Sequence, residues 1–247
     1  MQLHYEIAGQ GQPIILLHGL LGSFANLGVL ARPLQTHYQT ISVDLRNHGL
    51  SPWDDEMNYT LMAQDLAALI ESLSLEHVTL IGHSMGGKVA MKLADIAPKS
   101  IKQLFVLDIA PITYQQNTHQ DVFDALTEIV CQPNLERAQI LTLLRQRLPE
   151  PVVQFLLKSY KQHHWLFNFA AIAQHSDNLF SWQKIMPCHK PICFIKGSLS
   201  DYITAAYQSA IIDQFPQAKL FTVDGAHHNV HAEKPQQVLD IINNLLC

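Results

Sequence analysis

A serine flanked by glycines two residues to either side, Gly82-His83-Ser84-Met85-Gly86, is the stretch of this chain best suited to chemistry. Val78 to Ile81 before it is a short β-branched run, and Val89, Ala90, Leu93, Ala94 and Ala97 after it recur at helical spacing. Ser84 is therefore expected on a strand-to-helix turn that holds its hydroxyl clear of the sheet edge, with Gly82 and Gly86 letting strand and helix approach closely. Such a serine attacks carbonyl carbon once a neighbouring imidazole takes its proton and a carboxylate orients that imidazole. Glycine and serine also make ordinary turns, so the reading requires the other parts elsewhere in the chain.

The chain supplies candidates for each. The loop Asp224-Gly225-Ala226-His227-His228 brings two histidines after a strand-like run. His227, His228 and His231 have no partner at zinc-enzyme spacing, so neither a metal nor an organic cofactor is expected. Asp108 ends the apolar run Ile101 to Leu107, and Asp201 follows the run Ile192 to Lys196 and its Gly197. Asp108 is the preferred acid, Asp201 the alternative, and Ser200 or Asp201 a supporting group. After Ile14 to Leu17, the loop His18-Gly19-Leu20-Leu21-Gly22 can curve at the sheet's edge, and the amides of Leu20 and Met85 are the expected oxyanion hole.

These parts need elements to hold them. Leu3 to Ala8 reads as an edge strand; Ile14 to Leu17, Thr40 to Asp44, Val78 to Ile81, Ile101 to Leu107, Ile192 to Lys196 and Lys219 to Val223 read as strands of a mostly parallel sheet. Met62, Leu66, Leu69, Ile70 and Leu73 form the apolar stripe of a helix capped by Thr60; further helices are expected over Ala205 to Phe215 and around Val238, Ile242, Leu245 and Leu246. From 112 to 186 the alternation stops in favour of a helical pattern carrying Phe123, Phe155, Tyr160, Trp165, Phe167, Phe169, Phe180 and Trp182. An α/β core of residues 1–111 and 187–247 with an inserted helical cap, 112–186, accounts for this. Oxyanion loop, serine, acid and histidine then follow in the chain order of the α/β-hydrolase fold.

Composition narrows the function classes. At 247 residues, 48% hydrophobic and 15% charged, the chain can bury one large core and is not disordered. A net charge of −5 without basic blocks argues against nucleic acid. No apolar run is long enough to span a bilayer, the N-terminus lacks a signal-peptide pattern, and Cys131, Cys188, Cys193 and Cys247 form no disulfide framework. A cytoplasmic protein without stable membrane insertion is expected.

The segments His18-Gly19-Leu20, Asp44 to Pro52, Gly82 to Lys88, Asp108-Ile109-Ala110-Pro111, Gln154 to Ser159 and His231 to Pro235 together resemble the bacterial YbfF esterases over nearly the whole chain, cap included. The resemblance selects His228 over His227. It implies a capped serine esterase acting on short acyl esters and acyl-CoA thioesters, with Ser84, His228 and Asp108 as triad and Ser200 close by. Asp201, and Leu166 after Trp165, depart from the pattern. Arg137, Arg145, Arg147 and Lys158 are candidates to meet a CoA phosphate, but a solvated helix face is the preferred reading of them. A C–C bond hydrolase or a non-catalytic receptor of the same fold are the competing readings. An epoxide hydrolase or dehalogenase is disfavoured, since it would need an aspartate at the nucleophile position.

Overall fold

Runs that are apolar on both faces become the strands of one sheet. The computed structural model describes residues 1–114, 119–132 and 135–246. In chain order the sheet strands are β1 (Tyr5–Ala8), β2 (Pro13–Leu17), β3 (Gln39–Val43), β4 (Val78–His83) and β5 (Ile101–Leu107). A small ribbon, β6 (Tyr160–Lys161) with β7 (His164–Trp165), comes next, and β8 (Ile192–Gly197) and β9 (Lys219–Val223) complete the sheet. The spatial order is β1-β3-β2-β4-β5-β8-β9, with β1 antiparallel to β3 and the remaining pairs parallel.

Register sets the position of the site. Leu17 pairs with Gly82, His83 with Leu107 and Leu107 with Ile195, so β2, β4, β5 and β8 end on one level. The loops after Leu17, His83, Leu107 and Gly197 leave together from the carboxyl edge, where open α/β sheets bind ligands.

Side chains alternate between two cores, as strand geometry requires. Ile15 and Leu17 face one side, packed with Met62 and Leu66 of α2 (Tyr59–Ser72) and with Val89 and Leu93 of α3 (Met85–Ile96). Ile14 and Leu16 face the other, against Leu30 and Leu34 of α1 (Gly28–Leu34) and residues of the C-terminal helix. The cap of α2 is Asn58, two residues before the expected Thr60, because the Asn58 side chain accepts the Leu61 amide at 2.9 Å. β1 starts at Tyr5 rather than Leu3, whose side chain is buried in the core.

Between β5 and β8 lie α4 (Gln120–Val130), α5 (Arg137–Arg147), α6 (Glu150–Lys158), the ribbon, α7 (Phe169–Gln174) and α8 (Ser176–Phe180). The ribbon is an addition to the helical pattern expected there. Its aromatic residues join the main core, with Trp165 stacked on Phe167 at 5.0 Å and edge-on to Tyr160 at 5.0 Å. The segment expected as one helix from Ala205 opens with a 3-10 turn before α9 (Gln208–Gln214). Then come α10 (Val230–Glu233) and α11 (Pro235–Leu245), which buries Val238, Leu239 and Ile242, leaving Leu245 and Leu246 half-buried. Cys131 is an exposed free thiol, Cys188 and Cys193 are buried free thiols, and Cys247 lies outside the described residues. Among the described residues no helix is long and apolar enough to cross a membrane.

Candidate active site

Ser84 stands between β4 and α3 with φ 51° and ψ −119°, a left-handed backbone that few non-glycine residues adopt. Neighbouring chain crowds this elbow. A Cβ on Gly82 would sit 2.4 Å from the Gly86 carbonyl oxygen, and one on Gly86 2.3 Å from that of Leu17. Only glycine fits at either position, so the two residues flanking Ser84 in the sequence are required by the turn itself.

Asp108, also at positive φ (53°), directly follows β5 and is completely buried. Its carboxylate is fixed from three directions: Oδ1 accepts the Gly197 amide at 2.9 Å, while Oδ2 accepts the Ser200 hydroxyl and the His228 Nδ1–H at 2.8 Å. With Nδ1 donating, the ring of His228 presents Nε2 as an acceptor to the Ser84 hydroxyl 3.0 Å away. Tyr202 stacks on the His228 ring at 3.8 Å and 19°, and the His228 carbonyl accepts the His83 Nε2–H at 3.0 Å. The structure thus brings Ser84, His228, Asp108 and Ser200 into one hydrogen-bonded line from four loops. Asp201 is exposed and outside that line, and His227 turns away to Glu233 at 3.1 Å.

Leu20 and Met85 border the same space as Ser84. Met85 is the first residue of α3, where an amide has no intrahelical acceptor. The loop carrying Leu20 is braced by two buried imidazoles. His18 donates from Nδ1 to the Gly19 carbonyl at 2.7 Å and accepts the Leu45 amide at Nε2, 3.1 Å away. His48 donates from Nδ1 to the Arg46 carbonyl at 2.9 Å and accepts the Leu21 amide at Nε2 at 3.0 Å. Burial lowers the pKa of His18 to about 4; burial, with His18 nearby, lowers that of His48 to about 3. Both rings are therefore neutral at pH 7 and free to accept those amides. From the helical segment between β5 and β8, the Ser159 hydroxyl donates to the Leu21 carbonyl at 2.9 Å.

A family model for the α/β hydrolase fold matches residues 12–235 of this chain. The chain belongs to the α/β-hydrolase family, in its YbfF-type branch. It is 43% identical to the protein named esterase YbfF of Escherichia coli, over 95% of this chain and 92% of that protein. It is also 36% identical to the mouse (Mus musculus) protein named sn-1-specific diacylglycerol lipase ABHD11, over 95% of this chain and 80% of that one. A solved structure described as a marine microorganism esterase superposes with a TM-score of 0.95 at 38% identity, covering 99% of each chain.

In this α/β-hydrolase, Ser84 lies between two cavities. The inner one, about 30 Å³, is bordered by Leu20, Met85, Lys88, Tyr114 and Phe180. The middle one, about 190 Å³, is bordered by Leu21, Val152, Phe155 and His228, and shares several of its residues with an outer groove of about 620 Å³. Of the cap aromatics, Phe155 and Phe180 reach these spaces, whereas Phe167 and Phe169 are buried in the core. Of the four cap cations, Arg137 donates to the Leu157 and Tyr160 carbonyls, Arg145 pairs with Glu150, and Arg147 pairs with Glu128. Lys158 alone of those four borders the groove.

Two further residues, given no role by any sequence motif, border the same cavity as Ser84. His119 borders both the inner and the middle cavity, its Nδ1 without a protein partner and its Nε2 3.3 Å from the Tyr202 hydroxyl. Lys88 is a fully buried lysine whose pKa burial lowers to about 7. No local signal marks His119. For Lys88 a hint existed: it stands among apolar residues in the first turn of the elbow helix, four residues after Ser84.

Proposed function

We propose that this α/β-hydrolase is a serine esterase that cleaves carboxylic esters, and thioesters of the acyl-CoA kind, through an acyl-enzyme on Ser84. The observation that carries the reading is the line from Asp108 to His228 to Ser84, with contacts of 2.8 and 3.0 Å in the order that nucleophile activation requires. Ester-hydrolase names among relatives that cover nearly the whole chain support the same reaction class.

In the first half-reaction Ser84 Oγ bonds to the carbonyl carbon as its proton passes to His228 Nε2. The negative charge that develops on the carbonyl oxygen is met by the amides of Leu20 and Met85, each such donor contributing roughly 2.7–4 kcal/mol to the transition state. Collapse expels the alcohol or thiol, which takes the proton back from His228. Water then enters, gives a proton to His228 and attacks the acyl carbon, and the acid leaves as Ser84 recovers its hydrogen. Asp108 holds the imidazole in the tautomer that accepts from Ser84 and stabilises its charged form. Ser200 and the Gly197 amide hold Asp108. No step calls for a metal or an organic cofactor.

The test is hydrolysis of p-nitrophenyl acetate and of an acyl-CoA panel by the purified chain and by Ser84→Ala, with fluorophosphonate labelling in parallel. Turnover and labelling that both vanish in Ser84→Ala are expected. Turnover that survives the substitution would place the nucleophile elsewhere, and activity on esters alone would remove the thioester half of the proposal.

A further inference from the structure

Lys88 has no place in the steps above, yet it is one of the largest fully buried side chains in the molecule. Its ammonium donates to the Ile112 carbonyl at 2.8 Å and to the Ser181 carbonyl at 3.1 Å, with the Phe180 carbonyl at 3.5 Å. The rings of Tyr59, Tyr114 and Trp182 surround it at 5.3, 5.0 and 5.9 Å from their centroids. The partners are carbonyls and ring faces rather than a carboxylate. Such a cage stabilises a buried cation without a counter-ion, through charge-assisted hydrogen bonds and the negative faces of the rings.

The carbonyls come from two distant parts of the chain. Ile112 is where the chain enters the cap after β5; Phe180 and Ser181 are where it returns after α8. The two cap roots also meet directly, Tyr114 N–H donating to the Phe180 carbonyl at 2.8 Å and Trp182 N–H to the Thr113 hydroxyl at 3.0 Å. Tyr59 adds a hydroxyl bond to the Leu179 carbonyl at 2.6 Å. Lys88 ties this joint to α3, four residues beyond the nucleophile; its own amide donates to the Ser84 carbonyl at 3.2 Å.

The same side chain borders the inner cavity beside Ser84. The general acid must protonate the departing alcohol, so the alcohol lies on the side of His228, which borders the middle cavity and the groove but not the inner cavity. The acyl carbons are left the inner cavity, the smaller of the two that Ser84 borders. We propose that Lys88 is a positioning residue that ties both cap roots to the elbow helix, fixes the depth of the acyl-side cavity and so limits the acyl chain this enzyme accepts. The inference rests on the ester-hydrolase reading and adds the residue that enforces its chain-length limit. A neutral side chain of similar length would take the donor from the Ile112 and Ser181 carbonyls, one at each root, and loosen their hold on each other.

The experiment compares wild type, Lys88→Met and Tyr59→Phe on p-nitrophenyl acetate, butyrate, hexanoate and octanoate, with fluorophosphonate labelling and thermal melts alongside. In Lys88→Met the acetate-to-octanoate ratio of kcat/KM should fall by about tenfold or more, the low end of what one misfitting methylene costs, while Ser84 still labels. A lower melting temperature with an unchanged ratio would make Lys88 a purely structural residue and overturn the inference. Should Lys88→Met not fold, Tyr59→Phe decides: loss of one hydrogen bond at the same root should move the ratio the same way by about fivefold, and an unmoved ratio refutes the proposal. A wild-type chain that neither turns over acetate nor labels would instead sink the esterase reading itself, and this inference with it.

Discussion

Replacing Asp108 by asparagine tests the site most sharply, because the geometry dictates which way the amide must face. The Gly197 N–H is a fixed backbone donor 2.9 Å from Oδ1, so the carbonyl oxygen of the new amide stays there and its NH2 group turns toward Ser200 and His228. An NH2 group can only donate, so His228 must accept at Nδ1 and carry its proton on Nε2, facing Ser84. That tautomer cannot take the serine proton. Flipping the amide restores the tautomer but sets two donors against each other at Gly197, at a cost of about 1–3 kcal/mol for the buried group left unsatisfied. Loss of the negative charge that stabilises the imidazolium adds to this. Together these should lower kcat by about 10⁴-fold, as the equivalent change does in serine proteases, or roughly 5.5 kcal/mol. The assay is initial-rate hydrolysis of p-nitrophenyl acetate near neutral pH, with a thermal melt to verify folding. The control is Asp201→Asn, which as an exposed substitution should stay within about twofold of wild type. A folded Asp108→Asn within tenfold of wild type, or a collapse on Asp201→Asn, would refute the assignment of the acid.

Three further outcomes are expected. Gly86→Ala should destabilise the fold by about 1–3 kcal/mol or more, read as a lower urea midpoint, because its methyl would lie 2.3 Å from the Leu17 carbonyl oxygen in a rigid sheet. Ser159→Ala should cost about 0.5–1.5 kcal/mol, and kcat should fall with it, since its hydroxyl steadies the loop that bears the Leu20 amide; unchanged kcat would separate the cap from that loop. Acid should also weaken the fold through His18 and His48, whose pKa values lie well below 6.5 when folded. The unfolded chain binds the protons that these rings cannot. Their contribution is therefore complete above about pH 6.5 and declines as pH falls toward 4 and 3, by on the order of 3 kcal/mol for His18. Urea midpoints measured from pH 7.5 to 4 should drop accordingly, and a flat profile would contradict the buried neutral rings.

The sheet was legible because its central strands are buried on both faces, so Ile14 to Leu17 and Ile101 to Leu107 stand out without any knowledge of their neighbours. Ser84 was legible for a similar reason: its two glycines are demanded by contacts within the turn and with the adjoining strand. Asp108 could be placed at a strand end, but its bonds to Gly197, Ser200 and His228 come from residues about 90 to 120 positions away, where spacing gives no guide. The ribbon of the cap escaped notice because each strand has two residues and its turn places Gln162 and His163 at positive φ, where glycine or asparagine would have signalled it. Asn58 and Thr60 are both good helix starters, and only the bond to Leu61 decides between them. His119 and Lys88 acquire their surroundings wholly from tertiary convergence.

The joint where residues 113 and 182 meet has a consequence for how this architecture can vary. The chain leaves the carboxyl end of β5 and re-enters the amino end of β8, yet residues 113 and 182 are hydrogen-bonded, so everything strung between those two residues departs and returns at nearly one point. Lengthening such an excursion adds only slowly to the entropy of closing it. The enclosing roof over the reaction chamber is therefore an exchangeable cassette on a single stalk: a longer or differently folded one can be hung there, reshaping what enters while the strands beneath keep their register.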